Sequence, residues 1–396
     1  MLEPQSTLFF VLLVLVFGAL TWCLAVARHV AFRILAACLA FIPAMMFGVA
    51  GVNKYYNYYQ NWSSAIADLT NQNLSVPVLP YVPDHSRVRF STFLGTSSRG
   101  ASAAQGGLAL QLIVHGHISH ITRDVYVYLP PQYFRAAYRR YRFPVIELIH
   151  GFPGAPQDWI TVLGVDVMLR SLIGAGLAKP AVLVMPDASG GRGISLQCLN
   201  QVRGPQDATY LARDLPGYIS RILRVAAPGP AWGIAGYSEG GFCAANLGLQ
   251  YPRGFGFSGV LSGYFKPSAN QLGHVSVRPF GGSLRLQLAN TPDYEVASRS
   301  AGTPIPQFWI GVGTADRDGL RDAGTFSQIL RHLQPGVTLK LIPGGHTAST
   351  WRALLPPMLH WMTRGLAGKV ARGRSPRLAA AAARGMVMHE RYPRGG

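Results

Sequence analysis

The fold is decided by Ala231-Trp232-Gly233-Ile234-Ala235-Gly236-Tyr237-Ser238-Glu239-Gly240-Gly241. This apolar run breaks into the pattern Gly-x-Ser-x-Gly, and the apolar residues 242–249 follow it, so the stretch predicts a strand, a sharp turn and a helix. Glycines two residues before and after the serine let neighbouring elements approach without a Cβ clash. Short patterns of this kind also occur by chance, and the alternative is an inert serine in a surface turn. The flanking strand and helix favour a serine presented at the top of a sheet.

Further apolar runs alternate with helix-length segments along the chain. The runs predict buried strands at 143–149, 181–185, 257–261, 308–312 and 338–342. The segments predict helices near 162–175, 210–225, 241–251, 325–333 and 350–364. Earlier stretches of alternating polarity predict antiparallel strands at 88–93, 108–114 and 123–129. This order predicts an α/β fold, with a mostly parallel twisted sheet and helices on both faces.

The first 53 residues contain two uncharged apolar runs, Thr7–Ala27 and Ile34–Asn53. Each run has about the 20 residues that a helix needs to cross a bilayer. Arg28 and Arg33 lie between the runs and predict a cytoplasmic loop, so both outer ends face away from the cytoplasm. A cleaved signal peptide is the alternative for the first run, but Glu3 precedes it and no Lys or Arg does. We therefore predict a two-pass plasma-membrane protein whose catalytic domain is extracytoplasmic.

Composition divides the rest of the chain. Residues 54–84 begin with an aromatic cluster and predict a juxtamembrane stalk in contact with membrane lipid, and residues 85–366 form the predicted catalytic domain. Residues 367–396 are basic and predict a disordered tail. The net charge of +19 reflects scarce acidic residues, 17 against 36 basic ones. Because no basic helix is interleaved with aromatic residues, no nucleic-acid partner is predicted.

Three residues that could form a catalytic triad follow three different predicted strands. A serine hydroxyl needs a base to take its proton, and the base needs an acid to orient it. Ser238, Asp316 and His346 supply these groups in chain order, and the carboxyl ends of parallel strands meet at one edge of a sheet. Asp318 could also reach the imidazole. Asp316 is favoured as the acid because it comes first after its strand.

Other residues near strand ends are assigned to the surroundings of this predicted triad. The backbone amides of Phe152 and Glu239 are predicted to form the oxyanion hole. His150, Asp187 and Tyr264 are predicted pocket residues, although the turn that follows His150 also favours a role in ordering its loop.

The four cysteines fall into two pairs. Cys23 and Cys38 lie in the predicted membrane spans and are interpreted as small apolar residues. Cys198 and Cys243 lie in the predicted outward domain, where they form either a disulfide or two buried free thiols. No Cys and His pair has zinc-ligand spacing, and no Gly-rich phosphate loop follows a strand. No metal or cofactor is therefore predicted.

Several ordered motifs resemble a known family. The motifs are Tyr126-Val127-Tyr128-Leu129-Pro130-Pro131-Gln132-Tyr133, His150-Gly151-Phe152-Pro153-Gly154, Met185-Pro186-Asp187, Gly236-Tyr237-Ser238-Glu239-Gly240-Gly241 and Gly344-Gly345-His346. Together they resemble the esterase D branch of the α/β-hydrolase superfamily, especially its membrane-anchored actinobacterial members, from residue 87 to 364.

The resemblance implies an α/β-hydrolase fold and a Ser-acid-His triad on Ser238, Asp316 and His346, with oxyanion amides on Phe152 and Glu239. Mycolyltransferases of this branch use Glu as the acid and lack the two spans, so their chemistry is not carried over. S-formylglutathione hydrolase is cytoplasmic, which the predicted spans contradict.

The sequence therefore predicts a membrane-anchored serine esterase or acyltransferase. It would act through an acyl-enzyme on an ester of a lipid, sugar or cell-envelope component. Two alternatives stay open, namely a catalytically silent α/β-hydrolase domain that organises the envelope and a serine peptidase.

Overall fold

A computed structural model describes residues 3–56, 58–59, 62, 65–66, 103–191, 195–268, 279–366 and 369–370. The strand expected at 88–93 lies outside these residues, as do most of the predicted stalk and tail.

Eight strands form one sheet. They are β1 (Leu108–His115), β2 (Thr122–Leu129), β4 (Val145–Ile149), β5 (Val182–Pro186), β6 (Gly229–Tyr237), β7 (Phe255–Leu261), β8 (Gln307–Gly313) and β9 (Thr338–Ile342). Their order across the sheet is β1-β2-β5-β4-β6-β7-β8-β9. The pairs β1/β2 and β2/β5 are antiparallel, and all other pairs are parallel. This confirms the predicted α/β fold with a mostly parallel sheet.

Helices cover both faces of the sheet. The helices are α1 (Thr7–Val26), α2 (Val30–Tyr56), α3 (Asp158–Thr161), α4 (Val165–Gly174), α5 (Leu215–Ile222), α6 (Glu239–Gln250), α7 (Leu284–Ala289), α8 (Pro292–Ser298), α9 (Arg317–Leu330) and α10 (Ala348–Gly365). In β4, Val145 and Ile149 pack into the cluster that contains α5 and α6. Ile146 and Leu148 pack into the cluster that contains α4 and α10. The strand is apolar on both sides because alternate side chains point to opposite, covered faces.

Helix α9 begins earlier than expected, at Arg317 rather than near residue 325. Asp316 caps it, because its side chain accepts a hydrogen bond from the Gly319 amide. The first turn of α9 is polar, so the apolar periodicity of the sequence did not predict this start.

Helices α1 and α2 are long and apolar enough to cross a membrane, although a signal sequence has the same length and composition. The start of α1 contacts the end of α2, where Phe10 lies 5.2 Å from Phe47, ring centroid to centroid. The two helices therefore run antiparallel as a hairpin.

Two residues of the segment predicted as a tail are described. Lys369–Val370 form strand β10, which pairs antiparallel with β3 (Tyr141–Arg142). This pairing satisfies backbone hydrogen-bonding groups of β3, which lies outside the main sheet.

Strand β4 carries an acidic side chain in the centre of the sheet. Glu147 is fully buried, and its two carboxyl oxygens have no hydrogen-bond partner among the described residues. Burial therefore raises the pKa of Glu147 well above its ordinary value of 4.5. The folded chain keeps a proton that the unfolded chain releases above that pH, so this group makes stability fall as pH rises.

We expect Glu147→Gln to reduce this dependence, because a neutral amide binds no proton in either state. Between pH 4.5 and the raised pKa of the folded chain, wild type should lose up to about 1.4 kcal/mol of unfolding free energy per pH unit relative to the variant. Guanidinium unfolding of the detergent-solubilised chain from pH 5 to 8 measures this difference. Glu295→Gln, which removes a half-buried carboxylate that is paired with Arg299 on α8, controls for the loss of a carboxylate. Parallel pH curves for wild type and Glu147→Gln would contradict the assignment.

Candidate active site

The turn between β6 and α6 holds Ser238 in a conformation that side chains rarely adopt, with φ 55° and ψ −121°. A Cβ atom on Gly236 would lie 2.1 Å from the carbonyl oxygen of Gly240. A Cβ atom on Gly240 would lie 2.1 Å from the carbonyl oxygen of Ile149. Both contacts are impossible, so the turn requires glycine on each side of the serine. This is the physical basis of the Gly-x-Ser-x-Gly pattern in this chain.

Ser238, His346 and Asp316 lie in one hydrogen-bonded row. His346 Nδ1 donates to Asp316 Oδ2 over 2.8 Å, which leaves Nε2 to accept from the Ser238 hydroxyl over 2.9 Å. Burial raises the pKa of Asp316, but the hydrogen bond and charge of His346, with the Ser262 hydroxyl and a hydrogen bond from the Gly319 amide, outweigh it, so the pKa lies below its ordinary value. The imidazole is thus oriented to take the hydroxyl proton, with a carboxylate behind it.

The structure places Asp316 rather than Asp318 on the imidazole. The side chain of Asp318 is 84% exposed and lies 3.0 Å from the guanidinium of Arg321. Asp316 is buried, and it comes directly after the short turn that ends β8.

Stacked aromatic rings hold the imidazole from behind. The Trp351 ring lies edge-on to His346 at 5.3 Å and stacks on Tyr237 at 4.5 Å. Tyr237 in turn contacts Trp159 at 5.2 Å. The residue before Ser238 therefore helps to position the histidine that contacts Ser238.

Glu239 has a feature that its sequence position did not reveal. Its side chain is buried and accepts hydrogen bonds from the Ser195 hydroxyl at 2.5 Å and from the Gln197 amide at 3.3 Å. Burial raises the pKa of Glu239 to about 7, although both hydrogen bonds act in the opposite direction. The prediction concerned only its backbone amide, which starts helix α6. A charged side chain within an otherwise apolar turn was the feature of the sequence that could have indicated this buried carboxyl.

A disulfide joins Cys198 to Cys243, with their Cα atoms 5.6 Å apart. The sequence had left open whether these thiols are free. Cys243 lies on α6, so the loop of residues 195–198 is attached to this helix twice, through the disulfide and through Glu239. The loop is thus held against α6, the helix that begins immediately after Ser238.

A cavity of about 770 Å³ opens beside this row. Its wall is formed by Tyr55, Ser262, Gly263, Tyr264, Ala315, Asp316, Arg317, Asp318, Gly319, Asp322, Gly345, His346 and Thr347. Its size is that of a typical small-molecule site. Tyr264 lies in the wall as expected, whereas Tyr55, at the end of α2, was not foreseen. Tyr55 belongs to the aromatic cluster after the second apolar run. The sequence pattern predicts contact of that cluster with the membrane surface and not with the cavity.

His150 and Asp187, the other predicted pocket residues, are outside the wall of this cavity as the described residues define it. His150 Nδ1 donates to the Gly151 carbonyl at 2.8 Å, and its Nε2 accepts from the Ala188 amide at 3.1 Å. Asp187 accepts from the amide of Gly190 at 2.9 Å. These two side chains order the loops after β4 and β5. The oxyanion role of the Phe152 amide stays a prediction.

Comparison with known proteins agrees with this fold. Residues 120–362 match the model of the family described as "Putative esterase". The chain belongs to this esterase family. The match covers more than half of the chain, and with it the resemblance to α/β-hydrolase esterases is confirmed.

Individual relatives are distant. An uncharacterized protein of Corynebacterium glutamicum is 24% identical over 246 residues, which are 61% of this esterase chain and 57% of the relative. The chain thus spans little more than half the length of that relative. The whole protein's activity, substrates and partners are therefore proposals.

Three solved structures share the fold. A ferulic acid esterase is 19% identical, with TM-score 0.58, and the match covers 66% of this chain and 98% of that one. The fluorophosphonate-binding serine hydrolase F of Staphylococcus aureus is 18% identical, with TM-score 0.54 and coverages of 65% and 98%. An S-formylglutathione hydrolase of Agrobacterium tumefaciens is 19% identical, with TM-score 0.53 and coverages of 66% and 97%.

Proposed function

We propose that this esterase is a membrane-anchored serine esterase or acyltransferase that acts through an acyl-enzyme. The observation that carries the proposal is the hydrogen-bonded row of Ser238, His346 and Asp316 beside the cavity. A hydroxyl, an imidazole and a carboxylate in this order are the parts of nucleophilic acyl transfer.

In the first half-reaction, Ser238 Oγ attacks the ester carbonyl and its proton passes to His346 Nε2. Asp316 stabilises the imidazolium, and the amides of Phe152 and Glu239 donate to the oxyanion. His346 then protonates the departing alcohol, which leaves the acyl group on Ser238. In the second half-reaction, His346 deprotonates water or an acceptor hydroxyl, which attacks the acyl-enzyme. His346 then returns this proton to Ser238 Oγ as the bond to the acyl group breaks.

The cellular setting forms part of the proposal. Helices α1 and α2 would anchor the chain in the plasma membrane, with the esterase domain outside the cytoplasm and in contact with membrane lipid. The cationic residues Arg28 and Arg33 between the apolar runs support this orientation. The disulfide between Cys198 and Cys243 supports it as well, because disulfides persist in oxidising compartments. No nucleic-acid partner is proposed.

The acyl-enzyme tests the proposal directly. The full chain in detergent is mixed with p-nitrophenyl esters of rising acyl length and acid-quenched within the first turnovers. Its mass is then measured on the intact chain and on its peptides after digestion. We expect a mass increase of one acyl group on the peptide that contains Ser238, together with a burst of p-nitrophenol. Adding sugar or lipid alcohols distinguishes transfer from hydrolysis. A chain that gains no mass and releases no p-nitrophenol would instead be a catalytically silent domain.

A further inference from the structure

The membrane helices reach the active-site cavity. Tyr55 lies in the same cavity wall as Asp316 and His346, and it is the last residue of the apolar segment that could cross a membrane. The Tyr55 side chain is 75% exposed, so solvent or a ligand can reach it beside the cavity. The cavity therefore begins where the second helix ends.

Partly buried hydrogen bonds attach the segment after α2 to the esterase domain. The Tyr58 hydroxyl donates to Asp158 Oδ2 over 2.5 Å, and Arg352 donates to the Tyr58 carbonyl over 2.9 Å. Asp158 is fully buried and also accepts from the Ala155 amide over 2.8 Å. Ala155 belongs to the loop after β4 that carries Phe152. The helix end is thus bonded to the loop of the predicted oxyanion hole, and this part of the predicted stalk is a docking segment.

The same residues mark the level of the membrane surface. Gln5, before α1, donates to the Tyr59 carbonyl over 2.7 Å, and the Lys54 ammonium lies 5.0 Å from the centre of the Phe10 ring. A lysine, a glutamine and several tyrosines at one end of an apolar hairpin are typical of a membrane–water interface. Tyr55 lies at this end, so the cavity opens at the level of the interface.

We propose that the active site takes its acyl ester directly from the membrane leaflet that adjoins the esterase domain, with the acyl chain running past Tyr55 along the end of α2. This inference rests on the proposed function of Ser238. Withdrawing an acyl chain from a bilayer costs free energy for every methylene that is exposed to water. An entrance at the interface lets the ester carbonyl reach Ser238 while the chain stays in apolar surroundings. The substrate class is a long-chain acyl ester resident in the membrane.

A cross-linking inhibitor tests the path of the chain. The full chain in phospholipid nanodiscs is treated with a hexadecyl fluorophosphonate that carries a diazirine in mid-chain, irradiated, and digested with trypsin. We expect the phosphonate on Ser238 and the photo-adduct on peptide 34–54 or 55–87, which flank the cleavage site after Lys54. If the phosphonate is on Ser238 but the photo-adducts are only on other peptides, the proposed path of the acyl chain is wrong and the proposed function still stands. No adduct on Ser238 would overturn both.

Kinetics of a Tyr55 variant give an independent readout. The substrates are 4-methylumbelliferyl palmitate dissolved in the nanodisc and p-nitrophenyl acetate in water. Tyr55→Ala should lower the ratio of kcat/KM for the long ester to that for the short ester about tenfold, because an aromatic contact with the chain is lost. Tyr294→Ala, an exposed tyrosine on α8 outside the cavity wall, should leave the ratio unchanged. An unchanged ratio in Tyr55→Ala would overturn the proposal.

Discussion

Ser238→Ala should lower kcat for ester turnover on the order of 10⁶-fold, because it removes the only atom that can carry the acyl group in the proposed mechanism. Ser238 Oγ is 2.9 Å from His346 Nε2, and its conformation is imposed by the turn rather than by its side chain. An alanine can occupy the same turn, so the variant should fold. Initial rates with p-nitrophenyl butyrate and labelling by a fluorophosphonate probe are the measurements.

Ser298→Ala is the matched control for Ser238→Ala. Among the described residues its hydroxyl bonds only to the Glu295 carbonyl, on the solvent side of α8, so labelling and turnover should stay at wild-type levels. Equal probe labelling of Ser238→Ala and wild type would show that another residue is the nucleophile. Equal thermal unfolding midpoints exclude loss of folding as the cause of lost activity.

Asp316→Asn should lower kcat about 10⁴-fold. An asparagine can turn its amide nitrogen toward His346 Nδ1, which would then accept a hydrogen bond and shift the ring proton to Nε2. A protonated Nε2 cannot take the Ser238 proton, so the imidazole no longer acts as a base. Since asparagine also caps helices well, α9 should keep its start at Arg317.

Asp318→Asn is the control, since it removes a carboxylate two residues away. Its exposed side chain bonds to Arg321 rather than to the imidazole, so kcat should change by less than about twofold. Steady-state kinetics on both variants at pH 8 give the comparison. A larger loss for Asp318→Asn than for Asp316→Asn would reverse the assignment of the acid.

Most of the sheet follows from local patterns. Strands β4 and β5 are apolar at nearly every position because both faces are covered, and a run of five such residues is visible without a structure. Even Glu147, the one acid in β4, does not interrupt this pattern. The start of α9 was missed because a cap and a polar first turn determine it, and β10 because its pairing with β3 joins distant parts of the chain.

The active site likewise has features that the sequence predicted and features that it did not. The chain order of Ser238, Asp316 and His346 after three strands predicted which residues meet, because parallel strands bring their carboxyl ends to one edge. The choice of Asp316 over Asp318 rested on order alone, and side-chain direction is what places it on the imidazole. The carboxyl of Glu239 was missed because its partner, Ser195, is 44 residues away.

By itself the sequence determined the α/β fold, the turn around Ser238, the two apolar helices and the residues that could form a triad. All of these depend on interactions within short segments or on the order of strands. Only the tertiary structure decided that Cys198 joins Cys243, that Glu239 is buried against residues 195–197, and that Tyr55 forms part of the cavity wall. Each of these depends on how separate segments pack, which no local pattern of residues records.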